Sequence, residues 1–99
     1  MKMESKEGKI IVELEYNKFK ARPWVGFPLA EGGYDFLKPV EWRKRENCNY
    51  IFDLVYEIPL VWGAYVVIAE TATKKSTNWH KYFMNRETGK LELVETIYK

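Results

Sequence analysis

Residues 54–70 contain the most strongly apolar stretch of the chain, and this stretch constrains the fold most. No charged residue lies within positions 59–69. At positions 65–69, side chains of both parities are apolar, which is typical of a strand that is covered on both faces. The stretch is interrupted by Pro and Gly and is too short for a membrane helix, which needs roughly 20 apolar residues. We therefore predict that residues 65–71 form the central strand of a sheet.

Two other segments, residues 9–16 and 50–58, alternate apolar and polar side chains, which indicates half-buried strands. Residues 79–85 and 90–98 are predicted to form a hairpin, since Gly89 supplies the positive φ that its short loop needs. The alternation makes the following positions inward-facing: Ile10, Val12, Leu14 and Tyr16 in the first strand, and Tyr50, Phe52, Leu54, Tyr56 and Ile58 in the second.

The remaining segments are more irregular. Residues 1–8 are polar and are expected to be frayed, and residues 24–27 are read as a short edge strand. The Gly-containing residues 28–35 form the clearest predicted loop. Pro39 could begin a short helix that runs to about residue 46, or the segment could be an irregular crossover. We predict a single domain, residues 1–99, of mainly β to α+β class: one antiparallel sheet of about five strands with one short helix or long crossover loop.

Composition and cysteine usage indicate the setting of the protein. Cys48 is the only cysteine, so an intrachain disulfide is excluded and an intracellular setting is favoured. The first residues are charged and lack the apolar segment of a secretory signal, so we expect a cytoplasmic protein without a membrane anchor. Charged residues make up 30% of the chain and glutamine is absent, which is the direction of change seen in hyperthermophile proteins.

Candidate catalytic residues are few. His80, the only histidine, could act as a general base oriented by Glu70 or Glu95, although a lone histidine in a strand more often has a structural role. Cys48 has no base beside it in the sequence, and no glycine-rich phosphate-binding motif is present. We therefore expect no enzymatic activity, no catalytic or metal site and no cofactor.

Basic residues occur near tryptophans in three segments, the third of which contains Lys74, Lys75, Trp79 and Lys81. Basic grooves with aromatic platforms bind single-stranded nucleic acid by neutralising phosphates and stacking bases. The alternative is that the tryptophans belong to the core and that lysine stems pack over them. The net charge of +2 gives no strong preference for an acidic partner. The candidate nucleic-acid-binding residues are Lys18, Lys20, Arg22, Trp24, Trp42, Arg43, Lys44 and Arg45.

The aromatic content of the chain favours a different function, binding to another protein. Four Trp and seven Tyr are more aromatic residues than the core of so small a chain needs, and aromatic side chains are enriched at protein interfaces. An edge strand could also add a partner strand or pair with a second copy as a homodimer. Protein–protein interaction is therefore the preferred function, with nucleic-acid binding that is not sequence-specific as the alternative.

Three segments of this chain resemble a known family. They are KFKARPW at residues 18–24, YDFL at residues 34–37 and WHKYFMNRETGKLELVE at residues 79–95. Together with the chain length, they are similar to a small protein family of filamentous and rod-shaped DNA viruses of hyperthermophilic acidophilic archaea, which has no assigned biochemical function. The resemblance implies a viral protein in the host cytoplasm with an unusual fold and no known active site. We expect such an accessory protein to bind a host or viral protein. The resemblance carries no functional residue over to this chain.

Overall fold

The computed structural model describes residues 1–98, in which all regular secondary structure is β-strand. The strands form two antiparallel sheets, sheet A in the order β1-β2-β6-β5 and sheet B in the order β4-β3-β7-β8-β9. Their bounds are β1 Lys2–Lys6, β2 Lys9–Asn17, β3 Trp24–Pro28, β4 Tyr34–Phe36, β5 Glu41–Lys44, β6 Ile51–Pro59, β7 Tyr65–Thr71, β8 Thr77–Asn85 and β9 Lys90–Tyr98.

The chain changes sheets three times, at residues 18–23, 37–40 and 60–64, so successive hairpins alternate between the sheets. The mainly β prediction is confirmed, but the prediction of one sheet is wrong. The two strongest strand patterns, β6 and β7, are consecutive in the chain yet belong to different sheets. Pro59 ends β6, and Gly63 at φ 87° turns the chain towards β7. Two sheets form because each has an apolar face that must be buried, and stacking buries both.

The apolar faces of the two sheets enclose one core. In sheet A, Ile10, Val12 and Leu14 of β2 lie opposite buried residues of β6, as the alternation predicts. Tyr50 departs from the prediction, because it precedes β6 and is 44% exposed. Tyr16 and Phe52 are half-buried at the end of the core. The core residues are Ile10, Val12, Leu14, Leu54, Tyr56 and Ile58 from sheet A, and Val25, Val66, Ile68 and Met84 from sheet B.

Strand β7 is the central strand of sheet B, as predicted. Val66 and Ile68 point towards the core and are fully buried. Val67 and Ala69, on the outward face of the sheet, are also buried, at 3% and 0% exposure. The outward face of β7 is therefore covered, although sheet A packs only against the other face.

The prediction that residues 1–8 are frayed is wrong, because β1 pairs with β2 along its whole length. Glu7 and Gly8 form the two-residue turn between them, and both have positive φ, at 44° and 79°. Two consecutive positive φ values are what a tight hairpin turn requires. The side chains of β1 are all exposed, so backbone hydrogen bonding to β2 rather than burial holds the strand.

Neither the short helix nor the irregular crossover considered for residues 39–46 is found, since β5 occupies the centre of this segment and pairs with β6. The Val40 N–H donates to the Val55 carbonyl at 2.7 Å, just before β5 begins. Trp42 and Lys44 alternate with Glu41 and Arg43, which suits a strand at the edge of a sheet.

Strand β3 is not an edge strand, because it lies between β4 and β7. The end of the predicted loop at residues 28–35 enters β4, which begins at Tyr34. The predicted β8–β9 hairpin is confirmed, with Gly89 at φ 67° in its loop.

Candidate functional site

Four aromatic side chains cluster on the outward face of sheet B, and we call Trp24, Tyr34, Phe36 and Trp79 the aromatic face. Trp24 and Trp79 flank Ala69 in the strand register. The Trp24 ring centroid lies 5.0 Å from that of Trp79 and 5.2 Å from those of Tyr34 and Phe36. Trp24 therefore lies at the centre of the cluster, and the edge-to-face contacts fix the orientations of the rings.

Gly26 provides the space for these rings. A Cβ atom at Gly26 would lie 3.1 Å from Cζ3 of Trp24 and 3.2 Å from Cβ of Tyr34. These distances are tighter than ordinary van der Waals contact, so a side chain at this position would displace the neighbouring rings. Gly26 is opposite Phe36 in the register, and it lets the aromatic side chains pack directly against the strand backbone.

The aromatic face combines burial with exposure. Phe36 is 60% exposed, whereas Trp24, Tyr34 and Trp79 are half-buried. A second ring pair, Tyr65 with Phe83, continues the aromatic surface along β7 and β8, with centroids 5.1 Å apart. Charged side chains occur towards the β9 edge of the face, where Lys81, Glu92 and Glu95 lie. The face therefore has an apolar centre and charged residues along its β9 edge.

A second aromatic surface lies on the core-facing side of sheet A, where β5 forms the edge. Tyr16, Trp42 and Phe52 contact one another there, and the centroids of Trp42 and Phe52 are 5.7 Å apart. Lys18 Nζ is 5.3 Å from the Phe52 centroid, and Arg22 Cζ is 5.4 Å from the Trp42 centroid. Cations over aromatic faces are attracted by the ring quadrupole. We call these five residues the cation–aromatic cluster.

Arg43 and Arg45 lie on the opposite, outward side of sheet A. Each guanidinium contacts two carboxylates at 2.9–3.1 Å. The hydrogen bond that Arg43 donates to Glu41 raises the pKa of Arg43, and the hydrogen bond that Arg45 donates to Asp53 raises the pKa of Arg45. Their charges are therefore balanced within the protein. The pairs are Arg43 with Glu13 and Glu41, and Arg45 with Glu15 and Asp53.

The structure separates the eight residues predicted to bind nucleic acid. Strand alternation in β5 is the reason, because successive side chains point to opposite faces of sheet A. Lys18, Arg22 and Trp42 come together, and Lys44 lies on the same face of sheet A, opposite Phe52. Arg43 and Arg45 lie on the other face of sheet A. Trp24 belongs to the aromatic face, and Lys20 is exposed in the β2–β3 connection.

The His80 side chain lies next to the core and contacts a side chain on each of the two neighbouring strands. Its Nε2 lies 3.2 Å from Oε1 of Glu70, and its Nδ1 lies 3.4 Å from Oγ1 of Thr96. Of the two carboxylates considered as orienters, Glu70 makes the contact, whereas Glu95 faces outward beside Lys81. Within residues 1–98, no group of three or more His, Cys, Asp or Glu side chains is placed to hold a metal ion.

Sequence reasoning missed the aromatic face as a unit. Trp24 was grouped with nearby lysines, whereas its ring partners come from β4 and β8. A local signal was present in the alternation of Tyr34 and Phe36 about Asp35, which places two rings on one side of a strand. The partners across strands depend on which strands pair and in which register, and local sequence patterns do not show this.

Comparisons of the chain with models of protein families, with curated proteins and with solved structures found no match. In the described residues, no helix is long and apolar enough to cross a membrane.

Proposed function

We propose that this chain is a non-enzymatic accessory protein of an archaeal virus or its host, and that it acts in the host cytoplasm by binding another protein. The aromatic face is the observation that carries this proposal. The resemblance of three sequence segments to a viral family supports the origin, and the lack of a catalytic motif in the sequence supports a binding role.

The aromatic face has the composition of a protein contact surface. The centres of such interfaces are enriched in aromatic residues and poor in charged ones, and their rims are polar. Trp24 and Trp79 occupy the centre of the face, while Glu92 and Glu95 belong to β9 at its edge. Trp and Tyr are also the residues that most often dominate binding energy when they are truncated.

The rigidity of the face favours binding as well. The rings of Trp24, Tyr34 and Trp79 contact one another at centroid distances of 5.0–5.7 Å and stand on hydrogen-bonded strands. Side chains that are already fixed lose little conformational entropy when a partner covers them. The partner that fits this surface is a folded protein that presents an apolar patch.

Paired surface substitutions test this proposal. Phe36→Asp places a charge on the aromatic face. Leu93→Asp places a charge on the opposite face of sheet B, on its edge strand β9. The two positions are matched in exposure, at 60% and 58%, so neither change should unfold the protein. The wild type and both variants are used to capture proteins from host lysate after nuclease treatment, at low salt and at about 0.5 M salt.

We expect the wild type and Leu93→Asp to retain one specific protein at both salt concentrations, and Phe36→Asp to lose it. Apolar contacts persist in salt, unlike phosphate contacts. Equal capture by Phe36→Asp and the wild type would contradict the role of the aromatic face. Sedimentation of the purified wild type shows whether the partner is a second copy.

A further inference from the structure

We propose that the cation–aromatic cluster, together with Lys44 of the adjoining strand β5, is a binding site for single-stranded nucleic acid, in which a base stacks on Trp42 while Lys18, Arg22 and Lys44 contact phosphates. This function goes beyond the protein contact proposed above and uses a different surface. Arg22 and Trp24 are only two residues apart, but Trp24 belongs to the outward face of sheet B.

Trp42 is well placed for stacking. It lies on edge strand β5, and its side chain is 47% exposed. Its ring is supported edge-on by Tyr16 at 5.9 Å and by Phe52 at 5.7 Å, with interplanar angles of 78° and 71°. A tryptophan that is held in position and still exposed offers a stacking surface that any base can use.

The cations of this site have no carboxylate partner among the residues that the structure describes. In residues 1–98, no carboxylate lies within salt-bridge distance of Lys18, Arg22 or Lys44. Arg43 and Arg45, on either side of Lys44 in the chain, are each paired with two carboxylates. Strand alternation in β5 therefore separates the paired Arg43, on the outward face of sheet A, from Lys44, on the face that carries the rings. Unpaired cations attract phosphates most strongly.

A further ring pair extends the site. The Lys18 N–H donates to the Tyr50 carbonyl at 2.9 Å, and the Phe19 and Tyr50 rings contact each other with centroids 5.5 Å apart and planes tilted by 48°. Phe19 is 71% exposed and Tyr50 is 44% exposed. Exposed rings that alternate with lysine and arginine along a surface are what proteins use to bind single strands without sequence preference. In a duplex the bases are already stacked on each other and cannot reach these rings.

The test measures fluorescence anisotropy of a labelled oligothymidylate of about 15 nucleotides at several salt concentrations. The site variant is Lys18→Ala/Arg22→Ala/Lys44→Ala. Its matched control is Lys6→Ala/Arg86→Ala/Lys90→Ala, which removes the same charge from exposed positions outside the site. Trp42→Ala and Trp42→Phe test stacking, and the second variant keeps a ring in case the first perturbs the fold.

Three phosphate contacts predict a log–log salt slope of about −2 for the wild type, at roughly −0.7 per contact. The site variant should flatten this slope by about 2 and weaken binding by at least about tenfold at low salt, while the control stays within about twofold of the wild type. Trp42→Ala should weaken binding by about fivefold or more, with Trp42→Phe intermediate, and oligonucleotide should quench Trp42 fluorescence.

Three results would overturn the proposal. The first is no binding at micromolar protein and low salt. The second is equal weakening by the site and control variants, which would indicate general charge attraction. The third is binding of inorganic polyphosphate or an acidic polypeptide as tightly as the oligonucleotide, because a polyanion without bases cannot use Trp42, and the site would then take polyanions in general.

Discussion

The ring of Trp24 contacts the ring of Trp79 across Ala69, with centroids 5.0 Å apart and planes at 78°. Ala69 has no exposed surface, although it lies on the face of β7 that is turned away from sheet A. Large side chains from β3 and β8 thus cover the central strand where a second layer of structure is absent. The same rings that stabilise sheet B therefore form the candidate contact surface.

Gly26→Ala tests this ring arrangement. The added Cβ would approach Trp24 and Tyr34 to 3.1–3.2 Å, so the rings must shift by a few tenths of an ångström. We expect a changed near-ultraviolet circular dichroism spectrum, because this signal depends on the relative orientation of coupled rings. Gly33→Ala is the control, since it strains the backbone at φ 77° but meets no atom within 4 Å. Identical spectra for wild type and Gly26→Ala would show that the rings do not depend on this glycine.

Leu54→Ala tests the core. Leu54 is fully buried on β6 and lies opposite Leu14 of β2. Removal of its side chain should lower the free energy of unfolding by about 2–5 kcal/mol, because burial is lost and a cavity remains. Urea denaturation measures the change, with the 58%-exposed Leu93→Ala as the control, for which a change within about 0.5 kcal/mol is expected. A loss below about 1 kcal/mol at Leu54 would mean that the face assignment of β6 is wrong.

Tyrosine ionisation makes the protein less stable in alkali. Burial raises the pKa of Tyr56, although Arg22 partly opposes the shift, and burial together with Glu70 raises that of Tyr82. A tyrosine whose pKa is higher in the folded state stabilises the fold fully below its unfolded pKa of about 10, and this stability is lost as the pH rises through the folded value.

Tyr56→Phe and Tyr82→Phe should each reduce the fall in unfolding free energy between about pH 9 and pH 11. Tyr98→Phe serves as the control, because Tyr98 is 78% exposed and its loss should leave the slope unchanged. The measurement is urea denaturation at a series of pH values. The same alkaline slope in all three variants and the wild type would exclude Tyr56 and Tyr82 as its source.

The parts of the fold that could be predicted are those with local signals. Alternation located β2 and β6, the two-sided apolar run located β7, and Gly89 located the last hairpin. Strand β1 was missed because its stability comes from pairing with β2 and its side chains are all exposed, so no hydrophobic pattern marks it. The local signal for the β1–β2 hairpin is the turn at Glu7 and Gly8.

The division into two sheets and the makeup of both candidate sites could not be predicted, because they depend on pairing between distant segments. Trp24 meets Trp79 through the register of sheet B, and Arg22 meets Trp42 because the β2–β3 connection lies next to β5. The basic run around Lys44 looked like one patch in the sequence. Strand alternation divides this basic run between the two faces of sheet A. On the outward face, carboxylates from β2 and β6 neutralise the arginines.

The four tryptophans distinguish a protein contact at the aromatic face from a contact elsewhere on the molecule. Trp24 and Trp79 lie on this face, Trp42 lies in the cation–aromatic cluster, and Trp62 lies in the β6–β7 connection. The measurement is the set of indole N–H resonances of protein carrying ¹⁵N-labelled tryptophan, recorded as the captured partner is added. We expect shifts or broadening of the indole resonances of Trp24 and Trp79, while those of Trp42 and Trp62 are unchanged. Changes at Trp42 or Trp62 with Trp24 and Trp79 unaffected would contradict a protein contact at the aromatic face.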